Sequence, residues 1–225
     1  MPPRTPLSRE RVLRAALALV DEEGVEALTM RRLGRDLGVE AMSLYGYVDN
    51  KDDLLEGVVE QVFREMPLIA PGPGEWQVRL RRHATVYRRV LLAHPNVVRL
   101  VARRPLETEG IAAFVDSALA ELRSLGLDVL MSDRVLGIIA GFTQGHVAEQ
   151  VGDELRPAPS SPVERPPVDG RRFPHLAAIM GLKPTDYDAE FELGLDFIIA
   201  GIERMLTPPP ERAERDEAGF RKIIG

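Results

Sequence analysis

Residues 28–55 have the sequence LTMRRLGRDLGVEAMSLYGYVDNKDDLL, which combines two short helical patterns with a glycine between them. The apolar spacing predicts helices at about residues 30–37 and 41–48. Gly38 stands where the first helix should end, since glycine adopts a left-handed backbone without steric cost. Two short helices joined by so tight a turn are typical of a helix-turn-helix. Its inner seam is predicted to consist of Leu33, Leu37, Val39, Leu44 and Val48.

The second of these helices has an unusual outward face. The predicted seam leaves small residues and two tyrosines outside, namely Ala41, Met42, Ser43, Tyr45, Gly46 and Tyr47. A solvated face is normally rich in lysine and glutamate, so this one is typical of a surface that meets a partner. In a DNA major groove, Ala41 or Met42 could contact thymine methyl groups, and the tyrosine hydroxyls could bind phosphates. The alternative is a plain helical hairpin whose tyrosines lie on the surface or are partly buried.

Basic residues surround this segment. Arg31 and Arg32 open the preceding helix and are candidates for a guanine edge and the DNA backbone, respectively. Lys51 begins the next predicted helix, where it could meet a phosphate together with exposed N–H groups. Net charge does not support DNA binding, because residues 1–66 contain nine Lys or Arg against thirteen Asp or Glu and the whole chain carries −6. Further positive charge in the N-terminal arm and first helix comes from Arg4, Arg9, Arg11 and Arg14.

Hydrophobic periodicity indicates an all-α chain, with no convincing strand pattern in its 225 residues. Proline and glycine clusters suggest where its parts divide. The predicted organisation is a helix-turn-helix domain at 1–66 with a flexible basic arm at 1–7, a linker at 67–74, a ligand-binding and dimerisation domain at 75–206 with a mobile loop at 152–170, and a tail at 207–225. The predicted helices are 8–23, 30–37, 41–48, 51–66, 75–93, 107–125, 132–151 and 186–206, with short ones near 96–102 and 172–180.

Composition and motifs argue against several classes of protein. The chain has no cysteine, which excludes disulfides, thiolate metal sites and a cysteine nucleophile. It lacks a glycine-rich phosphate loop and the HExxH and GxSxG motifs, and its four histidines lack metal-ligand spacing, so we expect no enzyme, metal or cofactor. Neither a signal peptide nor an apolar run near the roughly 20 residues of a membrane span is found, so we expect a cytoplasmic protein. A helical adaptor that binds protein through Tyr45 and Tyr47 remains a rival.

Two helices of the C-terminal half suggest an interface. Helix 186–206 carries an apolar stripe that includes Phe191, Leu195, Ile198 and Ile202. Helix 132–151 places glycines four residues apart, at Gly137, Gly141 and Gly145, and each costs about 1 kcal/mol relative to alanine. An ordinary intramolecular bundle would explain both features. A homodimer would also explain them, and helix-turn-helix proteins usually occupy paired half-sites roughly 34 Å apart.

A ligand pocket is expected among the central helices. His83 and Tyr87 are four residues apart and share one helix face, and Trp76 precedes His83 on the same side. A second group lies on helix 132–151: Gln144, His146 and Glu149. An apolar cavity with such polar groups could orient a small molecule. A single buried histidine more often satisfies a core carbonyl.

In combination, these motifs resemble the tetracycline-repressor (TetR) family of bacterial regulators. The match in residues 28–55 consists of Leu28-Thr29, Arg31-Arg32-Leu33, Leu37-Gly38-Val39, Leu44-Tyr45, Val48, Asn50-Lys51 and Leu54-Leu55. Weaker similarity extends over most of the chain, including Glu75-Trp76-Gln77, Arg88-Arg89, Arg104-Pro105, Phe142-Thr143, Gly145, Glu149-Gln150 and the stretch FELGLDFIIAGIERML at 191–206.

The resemblance implies a homodimeric repressor that binds palindromic double-stranded DNA and is released by a small-molecule effector. It assigns phosphate contacts to Thr29, Tyr45, Tyr47 and Lys51, and base contacts to Arg31, Ala41, Met42 and Ser43. It also implies that helix 186–206 and helix 132–151 form a four-helix dimer interface. Gly46 departs from the family, which usually has a larger residue there.

The family's magnesium–tetracycline site is expected to be absent. Glu149 matches its acidic residue, but neither Arg64-Glu65-Met66 nor Val98-Arg99-Leu100-Val101 supplies the expected histidine. An apolar or aromatic effector is the better expectation. We call the predicted helix-turn-helix domain at 1–66 the reading head. Its last helix, 51–66, connects it with the predicted pocket. We expect movement of this helix on ligand binding to shift the population of DNA-binding conformations.

Overall fold

A computed structural model describes residues 6–67, 74–101, 109–154, 168–179 and 185–207 of the chain. This part contains α-helices, two short 3₁₀ turns and no strand, which confirms the all-α prediction. The predicted mobile loop, linker and tail lie largely outside the described residues. The helices are α1 (Arg9–Glu23), α2 (Met30–Leu37), α3 (Ala41–Leu44), α4 (Lys51–Arg64), α5 (Trp76–Ala93), α6 (Val98–Val101), α7 (Glu109–Ser124), α8 (Val129–Glu154), α9 (Pro174–Ile179) and α10 (Tyr187–Leu206).

The first four helices begin and end where local side-chain chemistry directs. Three of them start on a capping side chain that accepts a backbone N–H bond: Ser8 before α1, Thr29 before α2 and Asn50 before α4. Gly38 ends α2 with φ 69° and ψ 35°, a left-handed conformation. These caps explain why the starts of α1, α2 and α4 and the end of α2 could be predicted closely from the sequence.

Gly34 contributes a close approach that the sequence analysis missed. A Cβ added at this position would lie 2.9 Å from the carbonyl oxygen of Val39 and 3.2 Å from the backbone nitrogen of Ala41. A side chain there would force the turn between α2 and α3 to shift. Gly34 therefore lets the start of α3 pack directly on α2.

Helix α3 is shorter than the predicted helix 41–48. It ends at Leu44, and the chain continues as a turn in which the amides of Tyr47 and Val48 both donate to the carbonyl of Leu44, at 2.9 and 3.1 Å. Gly46 lies inside this turn, and glycine disfavours helix by about 1 kcal/mol relative to alanine. The turn still points Leu44 and Val48 inward, where both are fully buried.

Helix α4 lies in the apolar core between the N-terminal helices and the rest of the chain. Leu54, Val58 and Val62 are fully buried on it. Its contacts reach α1 on one side and α7 on the other, and Gly57 leaves room for the side chain of Leu13. One continuous apolar cluster therefore runs from α1 through α4 into α5, α6, α7 and α8. A second cluster joins α5, α7, α8 and α10.

Two glycines of the reading head should respond oppositely to substitution by alanine. Gly38→Ala places a Cβ on a left-handed backbone and should lower the free energy of unfolding by about 1–2 kcal/mol. Gly46 has no positive φ, and its added Cβ would make only an ordinary 3.6 Å contact with the carbonyl oxygen of Ser43. Gly46→Ala should therefore raise the free energy of unfolding by about 0.4–1 kcal/mol, through the entropy of the unfolded chain.

Urea denaturation followed by circular dichroism, at one protein concentration, measures both effects. A loss of stability in Gly46→Ala comparable to that in Gly38→Ala would show that the backbone around residue 46 differs from the one described.

Candidate functional site

The outward face of α3 and its following turn is exposed, as predicted. Met42 is 76% exposed and Tyr45 is 46% exposed, while Ser43 and Gly46 also face solvent. Ala41 is half-buried against the turn after α2. Leu44 and Val48 hold this segment from beneath, in the core. The face is therefore presented as a convex, weakly charged surface that can enter a groove.

Tyr47 differs from Tyr45 in its surroundings. Its ring is half-buried and packs against the core cluster. Its backbone carbonyl accepts a hydrogen bond from the Arg9 guanidinium at 2.7 Å. Tyr47 thus belongs partly to the support of the reading face and only partly to its surface, in line with the partly buried alternative considered for it.

Arg9 ties three parts of the head together. Besides the Tyr47 carbonyl, its guanidinium donates to both oxygens of Asp53 at the start of α4, at 3.0 and 2.5 Å. The Arg9 hydrogen bond, together with an N–H bond from Asp49, lowers the pKa of the Asp53 carboxyl despite its partial burial. This arginine, which the sequence analysis counted with the positive charge offered to DNA, holds α1, the turn after α3 and α4 together.

Arg32, the candidate for a DNA-backbone contact, also binds partners within the protein. Its guanidinium bonds Glu23 at 2.6 Å and Asp36 at 2.9 Å. Two carboxylates therefore compensate its charge, which the linear sequence did not reveal. Arg31, one residue earlier, is exposed, and its side chain makes no hydrogen bond or ion pair with another described residue.

Two further predicted phosphate-binding groups remain accessible. Lys51, the first residue of α4, is exposed, and its side chain forms no hydrogen bond or ion pair within the described part of the chain. Thr29 is exposed and its Oγ1 accepts the N–H of Arg32 at 3.1 Å, which leaves its hydroxyl proton available to a phosphate oxygen. The acidic head thus keeps Arg31, Lys51 and the hydroxyl of Thr29 on the surface beside α3.

A largely apolar cavity of about 170 Å³ lies among α4, α5, α6, α7 and α8. Three aromatic rings on its wall, Phe63, Tyr87 and Phe114, have centroids 6.0 Å apart. The described residues of its lining include no lysine or arginine. The remaining lining residues are Val59, Leu80, His83, Ala84, Val101, Ile111, Val115, Ala118, Asp133, Leu136, Gly137, Ile139, Ala140 and Gln144.

Polar groups are few in this cavity. His83 is buried, and its Nδ1 has no hydrogen-bond partner among the described residues. Burial lowers the pKa of His83, so the ring is neutral at neutral pH. Gln144 donates its Nε2 hydrogen to the Tyr87 hydroxyl at 2.6 Å, and burial raises the pKa of Tyr87 to about 12. Because His83 also lines the cavity, its neutral imidazole is a candidate to bond a ligand's polar group.

The predicted ligand residues fall into two groups. His83, Tyr87 and Gln144 line the cavity. Trp76 packs half-buried in the second apolar cluster, and Glu149 is exposed. His146 faces α10, with its ring centroid 5.4 Å from that of Phe191, because two residues along a helix turn a side chain by about 200° away from Gln144.

Sequence reasoning missed the contribution of α4. Val59 and Phe63 of this helix line the cavity, although only its role as a lever was predicted. Their spacing of four on an apolar face was a usable signal, since it places both side chains on one side of the helix. The same helix therefore touches both the cavity and α1.

Three of the four predicted dimer residues of α10 are buried within the protomer and cannot contact a second copy. Phe191, Leu195 and Ile202 are each 1% exposed and pack in the second apolar cluster, while Ile198 is half-buried there. The exposed apolar row of α10 is instead Leu193, Phe197 and Met205. The reason is that α10 carries apolar residues on both sides, and α5 and α8 cover the row that the stripe emphasised.

Helix α8 presents an exposed strip of small residues. Gly137 and Gly141, both predicted interface positions, are exposed, and a Cβ at either would meet nothing within 4 Å. Gly145 continues this open strip, and Ile138 beside it is 59% exposed.

None of the described helices is both long and apolar enough to cross a bilayer.

Comparison with known proteins assigns both halves of the chain. Residues 12–58 match the family described as bacterial regulatory proteins, tetR family, and residues 67–206 match the tetracyclin repressor-like C-terminal domain. The chain is 32% identical over 206 residues to the tetracycline repressor protein class D of Escherichia coli, covering 89% of this chain and 91% of that one. It is 30% identical over 204 residues to an HTH-type transcriptional regulator of Saccharopolyspora erythraea, covering 87% and 84%.

Solved structures agree with this assignment. The ActR protein of Streptomyces coelicolor in complex with actinorhodin superposes with a TM-score of 0.79 at 29% identity, covering 91% of this chain and all of that one. TetR from Acinetobacter baumannii gives a TM-score of 0.65 at 27% identity, covering 90% of this chain. The chain therefore belongs to the tetracycline-repressor family of bacterial transcriptional regulators, non-enzymatic proteins that bind DNA and small-molecule ligands and act as dimers.

Proposed function

We propose that this regulator represses transcription in the bacterial cytoplasm by binding a palindromic operator as a homodimer, and that an uncharged aromatic effector releases it. The observation that carries the proposal is the exposed, weakly charged face of α3, held from beneath by Leu44 and Val48. Such a face has no evident role within the protomer. Its two copies in a dimer would occupy successive major grooves on one side of the duplex.

Side-chain chemistry indicates which residues contact bases and which contact phosphates. Arg31 can form a bidentate contact with guanine, and Ala41, Met42 and Ser43 can contact base edges. Lys51 and the hydroxyls of Thr29, Tyr45 and Tyr47 are suited to phosphates. Gly46 lets the backbone approach the groove closely. Arg32 is excluded from this set, because Glu23 and Asp36 already bind its guanidinium.

We propose domains at 1–66 and 75–206 that pack against each other through a common core. The head and the effector domain share the apolar cluster around α4. Movement of α4 therefore reaches both.

The shape of the cavity supports an aromatic effector. Phe63, Tyr87 and Phe114 offer ring faces and edges, and among the described lining residues there is no lysine or arginine to attract an anion. The neutral imidazole of His83, which lines the cavity, can bond one hydroxyl or carbonyl group. That a relative of similar fold was solved with actinorhodin, and another with minocycline, is consistent with this site.

Cavity size indicates how binding could alter DNA affinity. Pockets for drug-sized ligands usually measure about 300–1,000 Å³, whereas this cavity holds about 170 Å³. A ligand that needs more space between the lining helices than the cavity offers would displace these helices, among them α4 with Val59 and Phe63. Because α4 packs on α1 around Gly57 and Leu13, its displacement shifts the population of head positions away from operator spacing.

Substitutions at Arg31 and Lys51 should weaken DNA binding in different ways. Arg31→Ala should cost about 1–3 kcal/mol on the selected operator and relax the preference at one base position. Lys51→Ala should weaken all duplexes alike and reduce the salt slope by about 1. Selection from a random duplex pool identifies the operator, and fluorescence anisotropy at several salt concentrations measures affinity. Arg89→Ala, an exposed arginine on α5, is the matched control. Equal losses in all three variants would contradict the assigned surface.

His83→Phe should separate effector recognition from folding. Phenylalanine fills the same space without the unpartnered buried nitrogen, so the free energy of unfolding should rise by about 1–3 kcal/mol. Aromatic compounds that raise the melting temperature of the wild type and release its operator should lose both effects in His83→Phe. Trp76→Phe, outside the cavity, should keep them. Unchanged release from His83→Phe by every such compound would place the effector's polar contact elsewhere.

Phe197→Asp should dissociate the dimer. Phe197 is 70% exposed on α10, which packs on the helix that carries the open small-residue strip, and a buried unpaired charge in a dimer interface would be strongly unfavourable. Analytical ultracentrifugation should give a monomer, and affinity for a full palindrome should fall to that for a half-site. The control Val78→Asp changes an equally exposed apolar residue on α5 and should remain dimeric. If the Phe197→Asp variant remained dimeric, Phe197 would not lie in the dimer interface.

A further inference from the structure

His94 joins three helices at the boundary between the head and the effector domain. It follows the last residue of α5 and is only 8% exposed. Its Nδ1 lies 2.9 Å from a carboxylate oxygen of Asp21 in α1. Its Nε2 lies 3.0 Å from a carboxylate oxygen of Glu65, which caps the end of α4. One imidazole ring therefore bridges the head helix α1, the end of α4 and the end of α5.

This geometry requires a protonated ring. A neutral imidazole has one N–H donor and one acceptor nitrogen, whereas ionised carboxylates only accept hydrogen bonds. Only the imidazolium satisfies both contacts at once. The second oxygen of Asp21, Oδ1, is buried without a hydrogen-bond partner among the described residues, so His94 is the group that compensates this carboxylate.

Electrostatics supports the same protonation state. Burial opposes charge on the ring and would lower its pKa, but the hydrogen bonds and charges of Glu65 and Asp21 outweigh burial and raise the pKa of His94. The charged groups that face the ring are these two carboxylates, one from α1 and one from the end of α4. The proton is therefore retained to higher pH than in the unfolded chain.

Asn96 strengthens the connection from the same turn. Its Nδ2 donates to the carbonyl oxygens of Val20 and Asp21, at 2.9 and 3.1 Å, near the C-terminal end of α1. The turn after α5 thus holds α1 through both a side-chain carboxylate and two backbone carbonyls. The other end of α1 bonds the turn after α3 through Arg9, so the position of α1 sets the position of the reading face.

We propose that protonated His94 is the positioning residue that holds the DNA-reading head at a defined angle to the effector domain, and that loss of its proton releases the head. Its consequence for effector response rests on the proposed function. The fixed angle itself does not, because it follows from the contacts among α1, α4 and α5. Displacement of α4 by a ligand would pull Glu65 from His94 and weaken the same joint.

The sign of the pH effect follows from the raised pKa. The stabilising contribution of His94 is fully present below the unfolded value of about 6.5 and is lost as pH rises through the folded pKa. His83 and His146 behave in the opposite sense, because burial lowers the pKa of both. Global stability therefore mixes opposing effects, and a measurement of head position is the sharper test.

The absence of cysteine makes such a measurement straightforward, since introduced cysteines are the only labelling sites. Spin labels at Arg35→Cys on α2 and Val78→Cys on α5, both exposed, report the distance between head and effector domain within one chain. The doubly labelled protein is diluted with unlabelled chain and measured by double electron–electron resonance. Between about pH 6 and the most alkaline pH at which the protein stays folded, the distance distribution of the wild-type sequence should widen about twofold, because the ring loses its proton within that range.

Three variants make the test specific. His94→Gln, which cannot carry the charge, should show the wide distribution at both pH values. His175→Gln, at an exposed histidine of α9, should behave as the wild type. Glu65→Gln removes one of the two carboxylates and should shift the pH of widening downward.

A distribution that stays equally narrow in the wild type at both pH values, or in folded His94→Gln, would overturn the proposal. The wild-type titration decides the matter even if His94→Gln fails to fold. Failure of the protein to bind any duplex, with the expected distance changes present, would refute the proposed repressor function and leave the joint intact.

Discussion

Apolar packing around α4 is the constraint on which the rest of the structure depends. Leu54, Val58 and Val62 are fully buried, and burial of each such side chain contributes about 1.5–3 kcal/mol relative to exposure. Exposure of these side chains to water would forfeit that free energy, so α1 and α7 pack over the helix. The head consequently shares one apolar core with the helices that line the effector cavity.

Charge is distributed according to the same architecture. The N-terminal region is acidic overall, yet its carboxylates are used largely within the protein: Asp53 binds Arg9, and Glu23 and Asp36 bind Arg32. The Arg9–Asp53 and Arg32–Glu23 pairs connect different helices, whereas Arg32–Asp36 lies within α2, and as exposed pairs all three add little stability. Arg31 and Lys51 are left on the surface beside α3. A negative net charge is therefore compatible with DNA recognition, because placement decides which cations reach the duplex.

The buried histidines illustrate how local surroundings set chemical behaviour. His83 lines an apolar cavity, where burial keeps the ring neutral and suits it to bond an uncharged polar group. His94 lies between two carboxylates, which keep it charged and make it a bridge. His146 packs among the rings of Phe142, Tyr187 and Phe191. The sequence offered the same residue type in all three places, and only their neighbours distinguish a recognition group, a joint and a core residue.

The sequence by itself determined the helices, the tight turn at Gly38 and the outward face of α3, because caps, glycine and helical periodicity act over only a few neighbouring residues. It also identified the family, through motifs within one short stretch. Only the tertiary structure decided that Phe191, Leu195 and Ile202 face inward, that Arg32 is bound to Glu23, and that Gln144 reaches the cavity while His146 does not. Periodicity states which residues share a helix face, but which face meets which neighbour depends on the packing of helices distant in the chain.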